Sequence, residues 1–165
     1  IKLLATSRKV GDQYYAMVSP VMIDAKNPLY SVNGVFNAIF IHGNVLGDAM
    51  FYGSGAGKLP TASAVVADVV DCAKNKGRNI MMSWSEEKLN LLQIDDVKSR
   101  FFVRVSGHAA ERQSEIEELF GKVEIVAVPS LSEEFAFITG EITEQEYREK
   151  AEKLDGIQSR IRARI

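Results

Sequence analysis

Three glycines placed directly before a predicted helix form the part of the sequence best suited to bind a ligand. Residues 53–60, here called the glycine loop, read Gly-Ser-Gly-Ala-Gly-Lys-Leu-Pro. Gly55 and Gly57 carry no side chain, so the main chain can lie in van der Waals contact with a flat ligand. The helix start that follows offers unpaired N–H groups and a partial positive charge to polar or anionic atoms.

The spacing within the glycine loop excludes two common phosphate-binding patterns. A G-x-G-x-x-G fingerprint would require glycine at Lys58 or at Pro60, depending on which glycine begins the count. The spacing of a P-loop is missing as well. Many glycine clusters are only strand-to-helix turns, so the loop alone does not identify a ligand. We interpret Lys58 as an exposed loop lysine, with a cofactor phosphate as its alternative contact.

A helix and several strands are predicted to position this loop. Apolar residues recur at i, i+3, i+4, i+7, i+8 and i+11 from Ala62, which predicts a helix over residues 60–75 with Pro60 in its first turn. Gly43 and Asn44 lie between two of the predicted strands, which favours a hairpin there. The predicted strands cover residues 1–5, 14–18, 35–41 and 45–52. Because the chain opens in mid-strand without methionine, we expect it to be part of a longer protein.

The last 65 or so residues predict a βαββαβ unit, a split βαβ arrangement with both helices on one face of an antiparallel sheet. Thr143 and Glu146 form a T-x-x-E capping box at the second helix, and Gly156 suits a left-handed cap at its end. The predicted strands are 100–105, 123–128, 135–140 and 157–165, and the predicted helices are 109–120 and the one from Thr143. The last strand is expected to place four apolar residues on one face: Ile157, Ile161, Ala163 and Ile165.

Composition limits the classes of function. Cys72 is the only cysteine of the 165 residues, which excludes an internal disulfide, favours a small buried side chain and suits a cytoplasmic protein. The formal charge is −2, without the basic density of a nucleic-acid binder, and no apolar run is long enough for a membrane helix. His42, His108 and Cys72 lack metal-ligand spacing, so no metal site is expected. Glutamates at 144, 146, 149 and 152 are interpreted as a solvated helix face.

Residues 34–38 and 50–68 closely resemble homoserine dehydrogenase. They read Gly-Val-Phe-Asn-Ala, then Met-Phe-Tyr-Gly-Ser-Gly-Ala-Gly-Lys-Leu-Pro-Thr-Ala-Ser-Ala-Val-Val-Ala-Asp. The resemblance covers residues 1 to about 78. It implies interconversion of L-homoserine and L-aspartate 4-semialdehyde with NAD or NADP, on the route to threonine, methionine and isoleucine. It also implies that the nucleotide-binding domain and the catalytic residues lie upstream, so residues 1–165 alone are expected to be inactive.

The same resemblance assigns the candidate cofactor contacts. In the family the glycine loop closes over the cofactor near its nicotinamide end, which makes Gly57 the first candidate, followed by Gly55 and Ala56. Thr61 is a weaker candidate, because its hydroxyl group has the alternative role of capping the helix. Catalytic residues are expected to be missing from this chain.

The βαββαβ tail resembles the ACT domain that many family members carry. ACT domains that bind amino acids commonly have Pro-Gly after the first strand, where this chain has Gly107 and His108. These two residues are the candidate contacts for an amino-acid effector such as threonine, and the alternative is a tail that only pairs with its own copies. Phe102 favours such pairing, and a homo-oligomer, at least a dimer, is expected.

The predicted organisation is therefore α+β. An incomplete mixed sheet with a long helix, from the catalytic domain, occupies residues 1–78, and a linker occupies residues 79–98. A ferredoxin-like, ACT-like domain occupies residues 99–165. Trp84 is expected to anchor the linker by packing onto a domain.

Overall fold

The computed structural model describes residues 1–78 and 81–165. Its helices and strands together confirm the predicted α+β class. The predicted domain boundary at residue 79 lies outside the described residues. The elements, in chain order, are β1 (Lys2–Val10), β2 (Gln13–Ile23), β3 (Phe36–Gly43), β4 (Gly47–Ser54), α1 (Lys58–Lys74), a 3-10 turn (Ile94–Asp96), β5 (Lys98–Ser106), α2 (Ala109–Phe120), β6 (Glu124–Val126), β7 (Glu134–Ile138), β8 (Ile142–Thr143), α3 (Glu144–Ala151) and β9 (Ile157–Arg164).

The chain forms two compact units. One comprises Ile1–Lys26 together with Lys88–Ile165, and the other comprises Asn27–Glu87. The predicted boundaries followed the order of the sequence, whereas these units follow contacts. The difference arises because β2 pairs with β9, so the first 26 residues belong to the sheet of the tail.

The first unit is built on one mixed sheet with the strand order β1-β2-β9-β5-β7-β6. All neighbouring strands are antiparallel except β2 and β9, which run parallel. The order β9-β5-β7-β6, with α2 and α3 as connections, is that of a ferredoxin-like βαββαβ fold. The predicted order of elements in the tail is thus confirmed, with the short strand β8 as an addition that pairs with β5.

β2 is longer than predicted. The predicted strand ended at residue 18, yet β2 continues through Pro20, which cannot donate to a strand ladder, to Ile23. Pro20 pairs with Leu3 of β1, whereas the pairing with β9 begins only at Val21. Proline is therefore tolerated at a position that lies before the parallel ladder.

The core of this unit lies between the sheet and its two helices. Phe101, Val103 and Val105 of β5 are fully buried and alternate with residues that point outward. Phe101 contacts the ring of Tyr147 from α3 at 4.5 Å between centroids. Each buried aromatic or branched side chain contributes about 1.5–3 kcal/mol by leaving water, so this layer stabilises the tail strongly. Further core residues are Ile116, Phe120, Phe135, Phe137 and Leu154.

The start of α3 confirms the predicted capping box. The Thr143 hydroxyl accepts the N–H of Glu146 at 3.0 Å, and the Thr143 N–H donates to the Glu146 carboxylate at 2.8 Å. The second bond lowers the pKa of Glu146, because it favours the ionised carboxylate. Gly156 follows with φ of 77°, the left-handed conformation expected after this helix.

The single apolar face predicted for β9 is wrong. Ile157 pairs with Val105 and packs on the core, whereas Ile161 pairs with Phe102 on the opposite face of the sheet. A register shift opposite Arg104 and Val105 inserts one extra residue into β9 and reverses the side-chain alternation. As a result, Arg160 and Arg162 point to the face that the helices cover.

These inward arginines explain a second correction. Glu144, predicted to lie on a solvated helix face, is only 6% exposed. Its carboxylate accepts a bond from Arg160 at 2.9 Å and one from Arg162 at 2.6 Å. Arg160 also lies over the ring of Tyr147, with 4.7 Å from its guanidinium carbon to the centroid. The buried carboxylate of Glu144 is thus paired, as burial of an ionised group requires.

The unit of residues 27–87 contains the β3–β4 hairpin and α1. Gly43 pairs with Gly47, so the predicted two-residue turn is in fact a three-residue loop over residues 44–46. Gly47 has φ of 76°, typical of the glycine that closes such loops. α1 begins two residues before the predicted start, at Lys58, and ends at Lys74.

This second unit leaves much apolar surface in contact with solvent. All residues of α1 are at least partly exposed, although Val65, Val66 and Val69 form the predicted apolar stripe. Cys72 is exposed as well, which corrects the prediction of a buried thiol. Trp84 is 85% exposed and therefore does not anchor the connecting segment as predicted. The periodicity predicted the helix correctly but not its surroundings.

Candidate functional site

The glycine loop leads directly from β4 into α1. Gly57 precedes the first helical residue and has φ of 116° and ψ of 160°. Residues with a side chain rarely adopt this φ, so the backbone itself requires glycine at this position. The carbonyl of Gly57 accepts the N–H of Thr61 at 3.1 Å, the first hydrogen bond of the helix. Gly57 therefore sets the direction in which the helix start points.

Gly55 is a glycine for a different reason. Its φ lies outside the left-handed region, so its backbone conformation is open to other residues. A β-carbon added at Gly55 would lie 2.7 Å from Nδ2 of Asn37 and 3.3 Å from its Cγ. The side chain of Asn37 thus occupies the space beside Gly55.

The four predicted cofactor contacts lie together on the exposed loop and the first turn of α1. Ala56 and Thr61 are exposed, like Gly55 and Gly57. Because α1 begins at Lys58, Thr61 is its fourth residue and cannot be its N-cap, which is Gly57. This excludes the capping role that was the alternative for Thr61.

The helix start is electrostatically suited to a polar or anionic group. The first helical N–H groups have no partner within the helix, and the aligned peptide dipoles place partial positive charge there. The first turn carries Lys58 and no acidic side chain. Gly55 and Gly57 are both exposed. The loop can therefore approach a flat, polar ligand closely.

The second candidate site, at Gly107 and His108, is filled by a side chain of the chain itself. Arg112 donates to the carbonyl oxygens of Ser106 and Asp155, each at 2.9 Å. Gly107 has φ of 103°, and a β-carbon there would lie 3.1 Å from Cδ of Arg112. Arg112 therefore ties the loop after β5 to the loop before β9. The sequence pattern did not indicate this connection, because Asp155 follows Arg112 by 43 residues.

Other titratable groups form structural pairs. His42 and Asp48 face each other across the hairpin, with 2.5 Å between Nδ1 and Oδ1, although neither residue's sequence neighbours suggested a partner. Burial raises the pKa of Tyr147, while the positive charge of Arg160 opposes this shift. Residues 1–78 and 81–165 contain no group of three or more His, Cys, Asp or Glu side chains that could hold a metal ion.

No helix in the described part of the chain combines the length and the apolar character needed to cross a membrane. The longest helix, α1, has 17 residues. Its apolar stripe alternates with polar residues such as Asp68 and Asp71, as on an amphipathic helix that packs against protein.

Comparison with known proteins finds relatives of the segment that contains the glycine loop. Residues 1–70, which include the loop and most of α1, match the family model described as homoserine dehydrogenase. Residues 1–70 are thus similar to homoserine dehydrogenase. The homoserine dehydrogenase of Lactococcus lactis is 39% identical over 108 residues, and that of Corynebacterium glutamicum is 48% identical over 81 residues.

Solved homoserine dehydrogenases share the fold over nearly the whole chain. The enzyme from Thiobacillus denitrificans matches 99% of this chain with a TM-score of 0.78 and 25% identity. A structure of the S. aureus homoserine dehydrogenase matches 99% of the chain with a TM-score of 0.71 and 26% identity. The likeness therefore includes the βαββαβ tail, which lies beyond residue 70.

The matched proteins are much longer than this chain. It spans 25% of the length of the Lactococcus lactis relative and 42% of the length of the Thiobacillus denitrificans chain. Residues 1–165 thus match one part of each of these longer proteins.

Proposed function

We propose that residues 1–165 are part of a homoserine dehydrogenase and that the glycine loop receives its nicotinamide cofactor. The whole enzyme interconverts L-homoserine and L-aspartate 4-semialdehyde with NAD or NADP, in the cytoplasmic biosynthesis of threonine, methionine and isoleucine. One observation carries this proposal. Within the segment that matches the family model, a glycine-rich loop leads into a helix whose first N–H groups have no side-chain cap and no acidic residue beside them.

The residues present fit such a cofactor. NAD or NADP would supply hydride transfer, and the protein would supply binding and orientation. Gly57 and Gly55 would let the main chain lie against the flat nicotinamide end, with Ala56 between them. Thr61, one turn into α1, would present its hydroxyl on the same side as the unpaired N–H groups. The groups that transfer the proton are expected in sequence that these residues do not include.

The exposed apolar surface of residues 27–87 supports this assignment. Soluble proteins rarely leave large apolar surfaces open to water. Val65 is 57% exposed, Val69 is 62% exposed, and on the hairpin Ile39 and Phe51 are each 65% exposed. We infer that the rest of a homoserine dehydrogenase covers these side chains and so holds the glycine loop against its cofactor site.

Homoserine-dependent reduction of NAD and NADP by the full-length polypeptide tests the proposal. The Gly57→Ala variant is expected to raise the KM for the cofactor about tenfold or more, because alanine disfavours φ of 116° and displaces the loop. Gly47→Ala is the matched control, since Gly47 is also left-handed but lies in the hairpin turn.

Equal KM values for both variants would contradict the assignment of the loop. Absence of homoserine oxidation by the unaltered full-length protein would contradict the assignment of the enzyme. Residues 1–165 alone are expected to show no turnover, and measurable turnover would show that catalytic residues lie within them.

For the tail we propose pairing with a second copy in preference to effector binding. Arg112 already occupies the loop at Gly107 and His108, where an amino acid such as threonine would bind. The sheet face opposite the helices, by contrast, has an open apolar groove of about 80 Å³. The groove includes Phe102, Val128 and Leu131.

Sedimentation of the full-length Phe102→Glu variant tests this pairing. We expect a lower mass, because the new carboxylate would lose its hydration in an apolar interface. Gln145→Glu adds the same charge on the exposed side of α3 and should leave the mass unchanged. An unchanged mass for Phe102→Glu would contradict pairing through this face. A calorimetric response to threonine would favour the effector role instead.

A further inference from the structure

Asn37 lies beside the glycine loop although it precedes Gly55 by 18 residues in the sequence. The hairpin register brings it there, because Asn37 of β3 pairs with Gly53 of β4. Its carboxamide nitrogen donates to the carbonyl of Val35 at 3.4 Å, which keeps the side chain at the start of β3. The space that a side chain at Gly55 would need is filled by this carboxamide.

Backbone angles distinguish the role of Gly55 from that of Gly57. Gly57 has φ of 116° and needs glycine for its backbone, whereas Gly55 is not left-handed. An alanine β-carbon at Gly55 would lie 2.7 Å from Nδ2 of Asn37, closer than real contacts of this kind. Because that atom ends a short, rotatable side chain, the clash would displace the carboxamide and leave the backbone in place.

We propose that Asn37 is a positioning residue for the glycine loop. Its carboxamide packs against Gly55 and holds the loop in the conformation that presents Gly55 and Gly57 to the cofactor. Gly55 then lacks a side chain in order to admit Asn37. This inference rests on the proposed function for its effect on cofactor binding, but the contact itself does not depend on that function.

A double-mutant cycle in the full-length polypeptide separates this role from a purely local one. Asn37→Ala removes the carboxamide, and Gly55→Ala displaces it, so both variants should lose the same support. Each is expected to raise the KM for the nicotinamide cofactor about three- to tenfold, with a smaller change in kcat. The KM of the double variant should not exceed that of the single variant with the higher KM.

Hydrogen exchange of the loop amides gives a second readout that needs no activity. Asn37→Ala should accelerate exchange over residues 53–59, measured by mass spectrometry in the full-length polypeptide. Asn33→Ala is the matched control. It removes a carboxamide group from the turn before β3, where the side chain of Asn33 donates to the carbonyl of Ser31. This control is expected to leave both the loop exchange and the cofactor KM unchanged.

Unchanged exchange and unchanged KM in Asn37→Ala would overturn the proposal. So would effects of Asn37→Ala and Gly55→Ala that simply add, because additivity would mean that Gly55 meets the cofactor independently of Asn37. If the unaltered protein does not oxidise homoserine, the proposed function fails, while the exchange data still decide whether Asn37 holds the loop.

Discussion

At the residue scale, the two central glycines of the loop have different physical causes. Gly57 has a backbone angle that side-chain-bearing residues rarely adopt, whereas a side chain at Gly55 would displace the carboxamide of Asn37. The sequence predicted both as binding residues from their common lack of a side chain. It could not distinguish these two causes, because the position of Asn37 beside Gly55 depends on the hairpin register.

Residue roles that depend on local spacing were predicted correctly. The Thr143 and Glu146 capping box is confirmed, because both partners lie within one helical turn. Glu144 was assigned to solvent, since its partners Arg160 and Arg162 follow it by 16 and 18 residues. Pairings across such distances depend on strand register and on a β-bulge, neither of which a sequence pattern specifies.

At the element scale, the βαββαβ tail was predictable and its connection to the rest of the chain was not. Each strand and helix of the tail carries its own apolar periodicity. The parallel pairing of β2 with β9 joins residues from opposite ends of the chain, such as Val21 and Arg162. Nothing in the pattern of either strand identifies its partner, so the predicted division at residue 78 did not anticipate a shared sheet.

The junction of β2 and β9 gives an element-scale prediction. Val21 is 2% exposed at this junction, whereas Val18 on the same strand is 68% exposed. Val21→Asp should destabilise the protein by about 2–4 kcal/mol, because it takes a carboxylate out of water beside Arg162, whose guanidinium already binds Glu144. Val18→Asp should change stability by no more than about 0.5 kcal/mol. Urea denaturation followed by circular dichroism measures both values, and equal values would contradict the burial of this junction.

At the scale of the whole molecule, the two units differ in how far they bury their own apolar residues. The unit with the six-strand sheet order has a closed core around Phe101 and Phe137. The unit of residues 27–87 leaves α1 exposed along its apolar stripe. The sequence predicted that stripe but not its exposure, because amphipathicity shows that a face will be covered without showing what covers it.

A structure of the full-length polypeptide with its nicotinamide cofactor tests the central claim most directly. We predict main-chain atoms of Gly57 within van der Waals distance of the nicotinamide end, with the valines of α1 buried by other parts of the enzyme. A cofactor bound elsewhere, with the glycine loop and the valines of α1 still in contact with solvent, would contradict the account.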